Sequence, residues 1–253
     1  MIQKNQPRLA EIDFLRGLAV LAMIGFHFLF DYDFFSGGTA DLYSWQSPWF
    51  WLGRLAAVLF VAIAGLSLHL RLHRKRLAGK NLAVDFWQRA VFVFGLGLLI
   101  TLFTYLFFRQ YTIWFGVLHL IGFATLASVL VINRPKLALA FGFLIVLLGL
   151  GFSLNWFGVV PPFWVGVFPL SFSTFDYFPL LPWLGIFWMG IGIGHLFYPN
   201  AKPLLNLKLS SANPLAGALA WLGRNSLWIY FAHQFLLVGL LWVLGLVRLG
   251  GLV

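Results

Sequence analysis

The sequence has no cysteine and few charged residues. Without cysteine, the chain has no disulfide, no thiolate nucleophile and no cysteine-ligated metal. Only 9% of its 253 residues are charged and 61% are hydrophobic, whereas a typical soluble domain has about 25% charged residues. Apolar segments fill nearly the whole length, so no stretch remains for a separate soluble domain. The composition predicts an all-α integral membrane protein with a single domain over residues 1–253.

Seven apolar segments are long enough, or nearly so, to cross the roughly 30 Å of hydrocarbon in a bilayer as helices. The fifth and sixth of them are short. The expected spans are Phe14–Phe34, Trp49–Leu70, Phe86–Phe107, Thr112–Ile132, Leu137–Phe152, Pro182–Tyr198 and Ser226–Val247. We therefore expect a bundle of about seven transmembrane helices.

The basic residues are distributed unevenly between the two sides of these spans. Of the 17 lysines and arginines, all but Arg54, Arg109 and Arg248 fall on the side that holds the N-terminus. Because cytoplasmic loops carry the excess of Lys and Arg, the N-terminus is predicted to be cytoplasmic. The same pattern accounts for the net charge of +10 without a nucleic-acid partner.

Two segments are not expected to span the membrane. Asn213-Pro214 has the pattern of an N-cap followed by proline at the first helical position, which predicts a short interfacial helix that runs to Trp221. The range Ser153–Phe178 contains three prolines and many aromatic residues, so it is too apolar for a free loop and too broken for a helix. Irregular backbone at membrane depth is buried in protein or lines a cavity. We interpret this range as an outer lid or a re-entrant segment.

The first apolar segment carries three polar side chains. His27 follows Arg16 by eleven residues, a helical rotation of about 1100°, which lies only some 20° past three turns. Arg16 and His27 therefore share one helix face, with Asp31 beside it. Ionisable groups inside a membrane are functional candidates because they face other helices or water. Asp31 is placed to orient the imidazole of His27 as a base; the alternative is that the pair only locks two helices together.

His119 is expected at the same depth as His27, because each lies about seven residues from the outer end of its span. Asp176, at the outer mouth of the sixth span, is expected near that level. The predicted site in the outer half of the bundle therefore contains two imidazoles and two carboxylates. The histidines lie on different helices without a metal-binding spacing, so no metal site is predicted.

The last segment carries Ser226, Tyr230 and His233 as one polar stripe. Interhelical hydrogen bonding would explain this stripe without a catalytic role. Asp13 and Arg16 lie three residues apart, so they can pair with each other on the first helix.

Four stretches of the sequence resemble one protein family. Asp13-Phe-Leu-Arg-Gly17, followed by His27 and Asp31, is similar to the opening of bacterial members of the heparan-alpha-glucosaminide N-acetyltransferase catalytic-domain family. The other three similar stretches are Phe115–Gly122, Asp176–Gly185 and Leu222–Gln234. The resemblance covers nearly the whole chain.

The resemblance implies a membrane acyltransferase that moves an acyl group, by expectation acetyl, from cytoplasmic acetyl-CoA to an outer hydroxyl or amine. The acceptor would be a sugar, a glycoconjugate or a lipid-linked molecule. The protein would lie in the inner membrane of a bacterium. The family's essential histidine corresponds to His27. The expected catalytic residues are His27, Asp31 and His119; the expected donor-binding residues are Arg16, Asp13, Asn225, Ser226, Tyr230 and His233; the expected acceptor-binding residues are Asp176, Tyr177 and Trp164.

Two other functions are compatible with the polar residues. A proton-coupled transporter would use the same buried pair, His27 and Asp31. A non-catalytic scaffold would use them only to hold helices together. Direct transfer and an acyl-histidine intermediate both stay open, and small-residue helix faces permit a homodimer in contact with membrane lipids.

Overall fold

The fold of the chain is helical. The computed structural model describes residues 9–38, 40–42, 44–77, 79, 82–158, 162, 165–166, 173–199, 202 and 213–246. Within them lie the α-helices α1 (Ala10–Ser36), α2 (Pro48–Leu77), α3 (Leu82–Phe107), α4 (Val117–Ala127), α5 (Pro135–Ser153), α6 (Leu180–Phe197), α7 (Pro214–Arg224) and α8 (Ser226–Val243). Short 3-10 turns at Arg109–Tyr111 and Ser128–Leu130 flank α4.

Six helices in the described part of the chain are long and apolar enough to cross a membrane: α1, α2, α3, α5, α6 and α8. Many of their large apolar side chains are exposed. On α3, four leucines are each more than half exposed, namely Leu98, Leu99, Leu102 and Leu106. Such a surface is stable against lipid and not against water. The chain is thus a multi-pass integral membrane protein, as the composition predicts.

The fourth predicted span is shorter than expected. The range Thr112–Ile132 forms a helix only over Val117–Ala127, with 11 residues. Ahead of it the backbone leaves the helical conformation, because Phe115 forms an isolated parallel bridge with Tyr177. Behind it the chain tightens into the 3-10 turn at Ser128–Leu130. This helix is therefore too short to cross a bilayer alone.

The chain divides into two compact units. Among the described residues, the central unit comprises those from 61 to 202 and the terminal unit comprises 9–60 and 213–246. The terminal unit contains α1, the first part of α2, α7 and α8. The central unit contains the rest of α2 and α3 to α6.

In the terminal unit, α1 and α7 approach each other closely. A Cβ atom on Gly17 would overlap the carbonyl oxygen of Leu219, and one on Gly223 would overlap the carbonyl oxygen of Asp13. Glycine at both positions lets the two backbones touch. The start of α7 confirms the predicted cap, since the side chain of Asn213 accepts hydrogen bonds from two amides of the first turn.

In the central unit, α6 packs closely on α2 and α5. Cβ atoms on Gly65 of α2 and Gly190 of α6 would each overlap the facing helix backbone. The contact of α3 with α4 is likewise close, because Gly122 lies against the backbone of Phe94. Helices that meet through small residues gain the short-range packing on which membrane bundles depend.

Candidate active site

Polar side chains from α1 and α8 meet inside the terminal unit. We call His27, Asp31, His233 and Gln234 the His27 cluster. The first two lie one helical turn apart on α1, and the last two are adjacent on α8. Apolar side chains of Val20, Met23 and Ala56 form a buried core in the same unit.

The hydrogen bonding of His27 fixes which ring nitrogen is basic. Its Nδ1 lies 2.9 Å from the carbonyl oxygen of Met23, one turn earlier on α1. Because a carbonyl oxygen only accepts, Nδ1 carries the hydrogen and Nε2 keeps a lone pair. Among the described contacts, the ring therefore takes a backbone partner in place of Asp31, the orienting group expected from the sequence. Side chains in a helix tilt toward its N-terminus. The ring of His27 therefore reaches the carbonyl oxygen of Met23, four residues earlier, more easily than the carboxylate of Asp31, four residues later.

His233 repeats this arrangement on α8. Its Nδ1 lies 2.5 Å from the carbonyl oxygen of Tyr230, so Nε2 again keeps the lone pair. The residue is buried, and no hydrogen-bond partner for its Nε2 lies in the described part of the chain. The rings of His27 and His233 meet edge to face, with centroids 4.8 Å apart. When both rings are neutral, two imidazoles with available Nε2 atoms thus stand side by side.

Asp31 is held by Gln234 of α8. The amide Nε2 of Gln234 donates to Oδ1 of Asp31 at 2.5 Å. Asp31 is only 1% exposed. Its second oxygen, Oδ2, and Oε1 of Gln234 are both buried and have no partner among the described residues.

The available atoms of the His27 cluster have one chemical character. All four are hydrogen-bond acceptors: Nε2 of His27, Nε2 of His233, Oδ2 of Asp31 as a carboxylate, and Oε1 of Gln234. A buried acceptor without a donor costs about 1–3 kcal/mol. The cluster is therefore suited to a ligand that brings several O–H or N–H donors.

The sequence did not single out Gln234. Its signal was present, because an amide in the apolar stretch that follows His233 is a polar group at membrane depth. Only the pairing of α8 with α1 reveals that it faces Asp31.

The other residues expected at the donor site also lie in the terminal unit. Tyr230 stacks on Phe60, with ring centroids 5.7 Å apart. Ser226 is buried at the start of α8. The side chain of Asn225 donates to the carbonyl oxygen of Trp221 at 2.9 Å.

Arg16 and Asp13 form the ion pair that their spacing predicts. Nη1 of Arg16 lies 3.0 Å from Oδ1 of Asp13 and donates to the carbonyl oxygen of Gly223 at 3.2 Å. The guanidinium thus binds the last turn of α7, where a cation also favours the helix dipole. Roles of Asp13, Arg16, Asn225, Ser226 and Tyr230 in donor binding stay predictions.

His119 lies in the central unit and is 2% exposed. Its Nδ1 accepts from the amide of Gly116 at 3.2 Å, so its Nε2 carries the hydrogen and faces Oγ1 of Thr101 at 3.2 Å. The hydroxyl of Thr101 in turn donates to the carbonyl oxygen of Ile113 at 2.6 Å. Both nitrogens of His119 are thereby occupied in holding the start of α4 against α3. Its catalytic role stays a prediction.

Asp176 and Tyr177 lie beside the start of α4 in the central unit. Oδ2 of Asp176 accepts from the amide of Val117 at 3.1 Å, which satisfies an amide in the first turn of α4. Burial raises the pKa of Tyr177 to about 12, so its hydroxyl stays protonated at neutral pH. Trp164, the third residue expected to bind the acceptor, lies outside the described residues. The acceptor-binding roles of all three stay predictions.

No group of three or more His, Cys, Asp or Glu side chains is placed to hold a metal ion in the part of the chain that the structure describes.

One family of known proteins matches most of the chain. The family model described as "Heparan-alpha-glucosaminide N-acetyltransferase, catalytic" matches residues 8–235, which include all four residues of the His27 cluster. The chain belongs to this heparan-alpha-glucosaminide N-acetyltransferase catalytic family. No curated protein and no solved structure matches the chain.

Membership of the N-acetyltransferase family indicates an enzyme of the acetyltransferase type in a membrane. The family uses acetyl-CoA as its acetyl donor and, in general, a sugar or glycoconjugate as acceptor. The family match gives no support to the transporter interpretation.

Proposed function

We propose that this chain transfers an acetyl group from cytoplasmic acetyl-CoA to a hydroxyl or amine of a sugar-like acceptor on the outer side of a bacterial inner membrane. His27 is the general base. The observation that carries the proposal is the tautomer of His27, whose Nδ1–H is bound to the carbonyl oxygen of Met23, so that Nε2 has its lone pair available. A general base needs such a nitrogen within reach of the proton it removes.

The reaction balances with His27 as the only proton carrier. Nε2 of His27 removes the proton from the acceptor O–H or N–H while the acceptor atom attacks the thioester carbonyl carbon. The tetrahedral intermediate collapses, the C–S bond breaks, and the CoA thiolate takes the proton from the imidazolium. The products are the acetylated acceptor and free CoA, and His27 returns to its neutral form.

The rest of the His27 cluster binds the acceptor. Oδ2 of Asp31 and Oε1 of Gln234 are buried and available, so neighbouring hydroxyls of a polyol can donate to them. His233, whose ring stands 4.8 Å from that of His27, offers the acceptor a second Nε2 beside the base. A sugar satisfies several acceptors at once, which a simple alcohol does not.

The donor is proposed to enter from the side that carries the N-terminus. The distribution of basic residues supports a cytoplasmic N-terminus. Arg16 would then lie toward the donor, and His27, eleven residues later on α1, toward the acceptor. In this arrangement α1 runs along the path of the acetyl group.

Acetyl transfer by purified protein in lipid nanodiscs tests the proposal. CoA release from acetyl-CoA should depend on an added amino sugar or neutral sugar. His27→Ala should lower the rate by about 10²–10⁴-fold, the usual contribution of a general base. Tyr32→Phe, a change on the exposed side of the same helix, should retain the parent rate. Retained activity in the His27→Ala variant would overturn the assignment of the base.

Single turnover separates direct transfer from an acyl-histidine. In the direct transfer proposed here, acetyl-CoA without acceptor releases no CoA. Release of one equivalent of CoA per protein before the acceptor is added would instead identify a covalent acetyl-enzyme.

A further inference from the structure

The central unit brings His195 of α6 to two histidines of α2, His69 and His73. The ring of His69 on α2 lies 6.2 Å from that of His73, one turn further along the helix, and 5.8 Å from that of His195 on α6. A Cβ atom on Gly194 would lie 3.3 Å from the ring of His69, so glycine there lets α6 come close. We call these three residues the histidine triplet.

The triplet has hydrogen-bond donors that the protein does not use. In the described part of the chain, none of the three rings forms a hydrogen bond, and Nε2 of His73 is buried without a partner. His69 is itself only 9% exposed. A neutral imidazole always carries one N–H, and a protonated one carries two. The triplet therefore carries at least three N–H groups that have no partner among the described residues.

Cations surround the same end of α2. Arg71 and Lys75 both bind the carboxylate of Asp85 on α3, with Arg71 at 2.6 Å. Arg76 donates to the side chain of Asn133 and acts electrostatically on both His69 and His73. With Arg74, this end of α2 carries four cations, against the one carboxylate of Asp85.

Unused N–H donors in a positive field are suited to an anion rich in acceptor oxygens. Phosphate carries such oxygens and binds most strongly where charge and hydrogen bonds act together. A carboxylate would compete with Asp85, which already holds two of the cations. A metal ion would need lone pairs converging on one point, and no such group occurs among the described residues.

We propose that His69, His73 and His195 form a binding site for a phosphate group at this end of α2 and α6. The phosphate comes from one of two sources: the phosphorylated end of the CoA donor or the headgroup of an anionic phospholipid. The first source rests on the proposed function, because it takes the phosphate to belong to the acetyl-CoA donor. The second source does not.

Adenosine 3′,5′-bisphosphate is the probe for the CoA source, because it carries the 3′-phosphate and a 5′-phosphate without the thioester. Its dissociation constant is measured by calorimetry with the full chain in nanodiscs of neutral phosphatidylcholine. His73→Leu combined with His195→Phe removes donors while it retains bulk, and the dissociation constant should rise at least about tenfold. His73→Gln alone keeps an amide N–H, and its dissociation constant should stay within about threefold of that of the parent.

Lys136→Gln is the matched control for loss of charge. It removes one exposed cation from the same unit and leaves the three histidines in place, so binding should be unchanged. Melting temperatures without probe verify that each variant is folded. If the double variant does not fold, His195→Phe alone is tested and should weaken binding in the same direction.

Anionic lipid is the second arm. If the bisphosphate does not bind, phosphatidylglycerol should raise the melting temperature of the parent and not that of the His73→Leu variant, which identifies the phosphate as a headgroup. Equal probe affinity and equal lipid stabilisation in parent and variants overturn the site. His27→Ala distinguishes this result from failure of the proposed function, because that variant should lose transfer and still bind the bisphosphate.

Discussion

The imidazoles of His27 and His233 meet edge to face with ring centroids 4.8 Å apart, and each donates Nδ1–H to a carbonyl oxygen of its own helix. The two helices thereby present two basic nitrogens at one place in the terminal unit. The tautomer of each ring is well defined, because Nδ1–H binds a backbone carbonyl and not a side chain that titrates.

If the two rings act as one unit, their variants should not be additive. His27→Ala should abolish most transfer, and His233→Phe, which keeps the ring shape, should lower kcat by about tenfold or more. The double variant should be no worse than His27→Ala, because residues that act together lose their effect together. Rates that multiply across the two single variants would show that the rings act independently.

Asp31 and Gln234 should exchange roles in a paired substitution. Gln234→Glu replaces the amide donor with a second carboxylate and should cost about 1.5–3 kcal/mol of stability, the range for a hydrogen bond to a charged group. Adding Asp31→Asn restores an amide opposite a carboxylate, so the double variant should recover part of the loss. Denaturant unfolding of the single and double variants measures this, and a double variant less stable than Gln234→Glu alone would contradict the pairing.

The sequence predicts how residues of one helix are arranged, but it does not predict the side-chain contacts between helices. Rotation along α1 predicts that Arg16 and His27 share a face, and spacing predicts the ion pair of Asp13 with Arg16, which forms. The partner of Asp31 is 203 residues away in sequence, so only helix packing reveals Gln234. The short α4 was also hidden, because apolar composition cannot reveal that Phe115 pairs with Tyr177.

Thr101 should matter mainly for stability. Its hydroxyl donates to the carbonyl oxygen of Ile113 and accepts from His119, so Thr101→Val leaves two buried groups without partners. We expect a loss of about 1–3 kcal/mol for each group, with Thr101→Ser close to the parent. If His119 also has the catalytic role that the family resemblance implies, His119→Phe should lower kcat far more than Thr101→Val does, even when the two variants are equally stable.

Asp176 should act first as a cap for α4. Its carboxylate accepts from the amide of Val117, and loss of a capping oxygen costs about 0.5–2 kcal/mol. Asp176→Ala should lower the melting temperature, whereas Asp176→Asn keeps an acceptor oxygen and should lower it less. A rise in the KM for the acceptor in both variants, with kcat unchanged, would add the predicted role in acceptor binding to the structural one.

Gly17 should not tolerate a side chain, in contrast to Gly25 on the same helix. A Cβ atom on Gly17 would overlap the carbonyl oxygen of Leu219, whereas a Cβ atom on Gly25 of the same helix would meet nothing within 4 Å. Gly25→Ala should therefore leave stability unchanged or raise it by up to about 1 kcal/mol through helix propensity. Gly17→Ala gains the same propensity and still should lower the melting temperature, because α1 and α7 must separate and the bond from Arg16 to Gly223 lengthens. Equal melting temperatures for the two variants would show that α1 and α7 do not touch at Gly17.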